Sequence, residues 1–288
     1  MRLATIERNG KAVVAVRRGN DYVDLSVAAP SLPKDLASLC GVLDARRGEI
    51  EAAVKSASGD AVVPASAAKY LTLIPAPGKT ICIGLNYTDH AAEGGNPVPD
   101  YPALFLRGAT SLAAHGSALL RPKCSQKFDY EAELAVIIGK PAKNVSKEKA
   151  LDHVAGYAPF NEGSLRDYQR KSTQWTMGKN FDRTGGFGPE LVTADELPPG
   201  AAPLKIMTRI NGETLQNGNT GNMIFSVATI IATLSEGMTL EPGDVIVTGT
   251  PAGVGYPRKP PVFMKPGDKV EIEIEKIGVL VNAIEDEK

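Results

Sequence analysis

At 288 residues, with 32 Lys+Arg against 33 Asp+Glu and a formal net charge of -1, the chain has no cationic excess with which to hold a phosphate backbone or an anionic bilayer. Nucleic-acid and membrane partners are therefore not expected. A 43% hydrophobic chain of this length can bury about 75% of its unfolded surface without disulfides or structural metal, so any bound metal is expected to serve chemistry.

The opening MRLATIERNGKAVV has no apolar leader core, and runs such as LAVII at 134–138 are far shorter than the ~20 residues of a membrane helix; a cytoplasmic protein is expected. RLATIER and KAVVAVRR alternate about Asn9-Gly10 and predict a β-hairpin. KDLASLCGVL, after the Pro30/Pro33 breaker, and GEIEAAVKSA, starting at Gly48, predict two short helices. At LIPAPGK, Pro75, Pro77 and Gly78 interrupt any element, which divides the chain into a small N-terminal α/β domain (1–74) and a larger domain (75–288).

Beyond that boundary TICIGL, ALFLR, DYEAELAVII, KIMTRIN, DVIVTG, KVEIEIE and VLVNAI read as strands. NYTDHAAEG, SKEKALDHV and MIFSVATIIATLSEG read as helices. Strands this numerous and irregularly spaced do not form alternating βαβ units, so a mixed α+β, β-rich sandwich or roll is expected. Cys40, Cys82 and Cys124 form no CxxC, and Cys82, inside TICIGL, reads as a buried small hydrophobe.

In DYEAELAVII the period of two puts Asp129, Glu131 and Glu133 on one strand face, with Tyr130, Ala132, Leu134, Val136 and Ile138 on the other. Acids side by side at the entry to a core repel one another unless protons or a hard cation neutralise them, although an edge strand would simply solvate them. AGYAPFNEGSLRDYQ begins as a strand and breaks at Asn161-Glu162-Gly163, which leaves Glu162 at a strand end. Arg166 and Gln169 follow on one helical face, where Arg166 either clamps an anionic substrate or pairs locally with Glu162.

His90 and Glu93, three apart, face one way on a helical turn, so Glu93 can orient the imidazole as a base; an exposed short helix is the other reading. Gly94 and Gly95 would let that turn move as a lid. His115 and His153 read as structural or loop residues. Lys179, among Trp175, Gly178 and Phe181, can meet a developing enolate or lie on the surface. TGTPAGVGYPRKPP is glycine-rich but lacks GxxxxGK[ST], and reads as a loop of backbone donors.

CIGLNYTDHAAE, DYEAELAVIIGK, GYAPFNEGSLRDYQ, WTMGKNFD, NGE with NTGNMIF, and LEPGDVIVTGTPAGVG stand in an order that resembles the fumarylacetoacetate hydrolase family over roughly residues 75–288. The resemblance implies a β-roll catalytic domain, usually in a homodimer, that uses Mg2+ or Mn2+ on 2-oxo and β-diketo acids, including those of aromatic-compound catabolism. It implies Glu131, Glu133 and Glu162 as metal ligands, His90 and Glu93 as the lid dyad, and Lys179 beside them in catalysis. Arg166, Gln169, Thr250 and Arg107 are implied as substrate contacts.

The activity expected on this basis is hydrolytic C–C cleavage of an acylpyruvate, with His90 activating water and backbone donors near Thr250 stabilising charge. Oxaloacetate-type decarboxylation and dienedioate isomerisation are the enzymatic alternatives, and a non-catalytic binding protein is the remaining one. The chain departs from the family pattern at Glu162, where Asp is usual, at Asn222 in place of Asp and at Arg107 in place of Lys. GGFGP after Lys179 would loosen that wall of the pocket.

Overall fold

The computed structural model describes residues 1–95 and 97–288. Arg2–Arg8 and Lys11–Arg18 form the expected hairpin, with Asn9 (φ 51°) and Gly10 (φ 75°) both in the left-handed conformation that a tight two-residue turn requires. Asp21–Asp24 and Val62–Pro64 extend it on one side. The first of the two expected helices covers Leu36–Cys40, capped by Asp35 onto the Ser38 N–H at 2.8 Å. The second covers Leu43–Ser56 and so passes through Gly48, where its start was expected. Buried Leu43 and Ile50 hold both ends of that turn, and packing outweighs the modest helix cost of one glycine.

On its other side the hairpin pairs through Arg2 and Leu3 with the short strand Leu191–Thr193, which in turn pairs with Val154–Glu162. The large sheet then continues through Ala132–Ile138 and Val245–Val247 to Thr80–Gly84 and ends at Ala103–Leu106. A five-stranded sheet, in the order Glu213–Asn219, Lys205–Ile210, Lys269–Ile274, Gly278–Asp286, Leu119–Arg121, packs against it. The architecture is thus mixed and β-rich, two packed sheets with few helices, as the strand pattern predicts.

Alternation along Ala132–Ile138 sorts two cores. Ala132, Leu134, Val136 and Ile138 join Ile206, Ile272 and Leu280 between the sheets, covered by the helix Val227–Gly237 through Val227, Ile230, Ile231 and Leu234. Ala135 and Ile137 point the other way and pack with Leu3, Leu36, Leu39 and Ile50 of the N-terminal segment. The predicted helix in SKEKALDHV is reduced to a single 3-10 turn, Ala150–His153, because Val154 immediately enters a buried strand. Cys82 is fully buried, as its apolar setting implies. No helix among the described residues is long and apolar enough to cross a membrane.

Where Val154–Glu162 passes Leu191–Thr193 the backbones approach closely. A Cβ on Gly156 would lie 2.3 Å from the Val192 carbonyl oxygen and 2.5 Å from the Leu191 side chain. Gly156→Ala is expected to cost about 1–3 kcal/mol through overpacking, lowering the melting temperature by several degrees in a thermal scan.

Candidate active site

Antiparallel register builds the centre of the site. Ala132 pairs with Asn161, and one step further the Glu162 N–H donates to the Glu131 carbonyl at 2.9 Å. Cross-strand neighbours share a face, as do residues two apart on one strand, so Glu131, Glu133 and Glu162 converge. One oxygen from each lies within 4.8 Å of the others, and all three residues are buried. The strand break after Glu162 is completed by Ser164, whose hydroxyl donates to Glu131 Oε2 at 2.6 Å.

Three cations surround these acids. Arg166 bridges Asp129 (Nε to Oδ2, 2.7 Å) and Glu131 (Nη2 to Oε1, 2.8 Å), and its Nη1 donates to Gln169 Oε1 at 2.9 Å. Lys179 is buried, not on the surface; its ammonium bonds Glu131 closely and Glu162 Oε2 at 3.4 Å. Arg107 Nη1 stands 3.6 Å from Glu162 Oε1. With Asp129 included, four buried carboxyl groups face three cations, one positive charge short of balance.

The protonation preferences follow from that shortfall. Burial works to raise the Glu131 carboxyl, but Arg166 and Lys179 outweigh it and hold the group well below the usual carboxylate range. Glu133 goes the other way: burial, then the charges of Glu162 and Glu131, push it well above that range despite the Gly249 N–H. For Lys179, burial is overcome by Glu131 and Glu162, and the ammonium is held charged. Burial raises Asp129, against the pull of Arg166.

The residues fit a divalent cation. The donor set is three carboxylates, which suits a hard ion such as Mg2+ or Mn2+. Glu162 Oε1 is buried without any hydrogen-bond partner, and a positive charge beside Glu133 would favour its carboxylate against the burial and the neighbouring acids that push its pKa up.

A cavity of about 570 Å³ opens on this cluster and is lined by His90, Glu93, Arg166, Gln169, Lys179 and Thr250, together with the three acids. Ile83, Phe105 and Trp175 supply its apolar wall. His90 and Glu93 sit on the short helix Thr88–Glu93, with His90 Nδ1 3.4 Å from Glu93 Oε2. Glu93 also accepts the Gly253 N–H at 3.0 Å, which ties the helix to the glycine-rich loop.

Three expectations change here. Arg107, expected to touch substrate, does not line the cavity: its buried guanidinium lies behind Glu162, donating to Gly163 O (3.2 Å) and Thr184 Oγ1 (2.9 Å). GGFGP is no loose wall, since Gly185–Phe187 is a buried strand, and a Cβ on Gly185 would fall 2.7 Å from the Arg107 Nη2. Four backbone donors of the TGTPAGVGYPRKPP loop are turned onto acids, with Gly249 N–H to Glu133, Gly253 to Glu93, and Gly255 and Tyr256 to Asp129 at 2.7 and 3.0 Å. That loop can run so close because Gly255 has no side chain; a Cβ there would overlap the Val262 carbonyl oxygen at 1.7 Å. Asn222 is exposed and outside the cavity.

Some functional positions lie outside the expected set. Asp129 holds Arg166 and the loop together, and its strand parity with Glu131 and Glu133 was the available signal. Gln216 donates to Thr250 Oγ1 at 2.8 Å from the opposing sheet, a pairing without any local sequence mark. Arg170 and Tyr256 line the mouth.

A model of the fumarylacetoacetate (FAA) hydrolase C-terminal domain matches residues 79–285. The chain belongs to the fumarylacetoacetate hydrolase family. It is 41% identical over 271 residues to oxaloacetate tautomerase FAHD2A, mitochondrial, of Homo sapiens, covering 92% of this chain and 84% of that one. The crystal structure of maleylpyruvate hydrolase from Sphingobium sp. SYK-6, in complex with manganese (II) ion and pyruvate, is 28% identical with a TM-score of 0.84, both chains covered in full. That of 2-hydroxyhepta-2,4-diene-1,7-dioate isomerase from Mycobacterium marinum is 30% identical with a TM-score of 0.78, covering 100% of this chain and 99% of that one. By name these members of the fumarylacetoacetate hydrolase family are enzymes of the tautomerase, hydrolase and isomerase classes.

Two outcomes test the electrostatics. Arg107→Met removes the cation behind Glu162 and leaves buried acceptors unpaired, so it should destabilise the fold by about 3–5 kcal/mol in denaturant titration. A carboxyl whose pKa is raised, as burial and the neighbouring acids raise that of Glu133, holds its proton to higher pH and must lose it to ligate a metal. Mn2+ binding should therefore be accompanied by proton release and tighten as pH rises, measurable as a buffer-dependent heat in calorimetry; Glu133→Gln should reduce the release.

Proposed function

We propose that the protein moves a proton at the carbon next to the carbonyl of a 2-oxo acid, tautomerising an oxaloacetate-like substrate. The observation that carries this reading is one cavity with two opposed kinds of group. His90, backed by Glu93, supplies a carboxylate-oriented imidazole, while Lys179, Arg166 and the acid cluster supply a charged pole. Similarity to a relative named oxaloacetate tautomerase, over 92% of the chain, supports the substrate class.

In this reading Glu131, Glu133 and Glu162 hold Mg2+ or Mn2+. Such an ion, when bound, supplies Lewis-acid polarisation of the 2-oxo acid. Arg166 and Gln169, bonded to one another, orient the substrate carboxylate. His90 takes the proton from carbon or returns it there, and Glu93 fixes the ring and stabilises its charged form. Lys179, held charged by its acids, meets the negative charge that develops on oxygen. Thr250, fixed by Gln216, completes the polar wall. Phe105 and Trp175, 5.8 Å apart between ring centroids, exclude water from the other side.

Hydrolytic C–C cleavage of an acylpyruvate is the second reading, favoured by the full-length likeness to a maleylpyruvate hydrolase. It uses the same groups, with His90 drawing the proton from water. The homodimer implied by the family resemblance belongs to this proposal too. It is supported by the exposed Leu104 and Leu106 on one face of the edge strand Ala103–Leu106, and by exposed Met177 on the turn whose Asn180 bonds the Leu106 carbonyl at 2.8 Å.

With Mn2+ present, the wild type should accelerate decay of the oxaloacetate enol, followed by its ultraviolet absorbance, and exchange of the C3 hydrogens, followed by NMR. His90→Ala should slow both by about 10²- to 10⁴-fold. Pyruvate and acetate appearing from acetylpyruvate, without enol turnover of oxaloacetate, would select the hydrolytic reading.

A further inference from the structure

The cations that line the cavity are not equivalent. Arg166 and Lys179 are bonded to acids, so their charge is shared between the cluster and any substrate group beside it. Arg170 lines the same cavity, is exposed, and among the described residues forms no ion pair with any carboxylate.

Its position is nevertheless fixed. The guanidinium carbon lies 4.1 Å from the centroid of the Tyr256 ring, and Nη1 donates to the Tyr256 hydroxyl at 2.7 Å. Tyr256 is anchored in turn, since its backbone N–H donates to Asp129 Oδ2, the same oxygen that accepts Arg166 Nε. The chain reaches Arg170 directly from the short helix Arg166–Gln169, so both arginines are carried by one turn. Stacking and a single hydrogen bond use only part of a guanidinium, which has five N–H donors in a planar fork suited to a carboxylate. A planar cation held on an aromatic face has lost its rotamer freedom before any ligand arrives, which lowers the entropy cost of using it.

We infer that Arg170, held by Tyr256 at the cavity mouth, is a second anion-binding element that takes the carboxylate at the end of the substrate remote from its 2-oxo acid group. The site thereby selects dicarboxylic over monocarboxylic oxo acids. This inference rests on the oxo-acid reading above and deepens it, because Arg166 and Gln169 serve one carboxylate and Arg170 a different one.

Calorimetric binding to the Mn2+-loaded protein tests it with three probes: 2-oxoglutarate, with both groups; 2-oxopentanoate, without the distal carboxylate; and glutarate, without the oxo group. The wild type should bind 2-oxoglutarate about tenfold more tightly than 2-oxopentanoate, a modest factor because Arg170 is solvent-accessible. Arg170→Met should erase that preference and leave the 2-oxopentanoate affinity unchanged, while Arg170→Lys should keep part of it and Tyr256→Phe should weaken it. A preference that survives in Arg170→Met, its absence from the wild type, or an equal loss for both oxo acids would overturn the inference. If neither oxo acid binds but glutarate binds in an Arg170-dependent way, the anion site stands and the oxo-acid reading falls; if none of the three binds, both fall.

Discussion

The site depends on one cross-strand placement, Glu162 beside Glu131 across an antiparallel pair, with Glu133 two residues along. Like charges opposite one another destabilise a sheet, and burial magnifies the cost. Much of the surrounding sequence answers that cost. Arg107 fills the space behind Glu162 that Gly185 vacates, Lys179 reaches in from its own turn, and Arg166 is clamped by Asp129. Even so the compensation stops one charge short, which leaves a cluster that could hold a cation. A fully neutralised cluster would be more stable and chemically inert.

The glycine-rich loop answers the same cost from the opposite side. Its amides are turned onto Glu133, Glu93 and Asp129, so one stretch of backbone positions a member of the acid cluster, the orienting carboxylate of the dyad, and the anchor of Arg166. Because these carboxylates receive fixed dipoles as well as mobile side chains, their geometry does not rely on long, entropically costly arginine and lysine contacts alone. Thr250 belongs to that loop as well, and Gln216 couples it to the second sheet.

Strand parity made much of this readable from residues alone. The hairpin at Asn9-Gly10, the acid face of Asp129 to Glu133 and the helix Val227–Gly237 follow from local periodicity, and local periodicity survives folding when packing agrees with it. The start of the helix Leu43–Ser56 and the loss of a helix near Ala150 were not readable, because burial of Leu43 and of the strand after His153 decided them. Arg107 shows the limit most clearly. Residue type and a nearby motif suggest a cation that meets the substrate; only the fold shows that it faces the rear of Glu162 and not the cavity. Gln216 comes from another sheet, and nothing along its own strand marks it.

The three-residue strand Leu191–Thr193 joins the N-terminal hairpin to the strand that ends in Glu162. Its ladder toward Arg2 and Leu3 is satisfied only while residues 1–74 stay in place, and buried Leu191 and Leu3 share the same core. Remove that segment and a bare, apolar ladder would be left on the sheet, a template for promiscuous edge-to-edge association. The N-terminal segment therefore acts as a selvedge: none of its residues lines the cavity, yet its hairpin covers what would otherwise be an open edge of the large sheet.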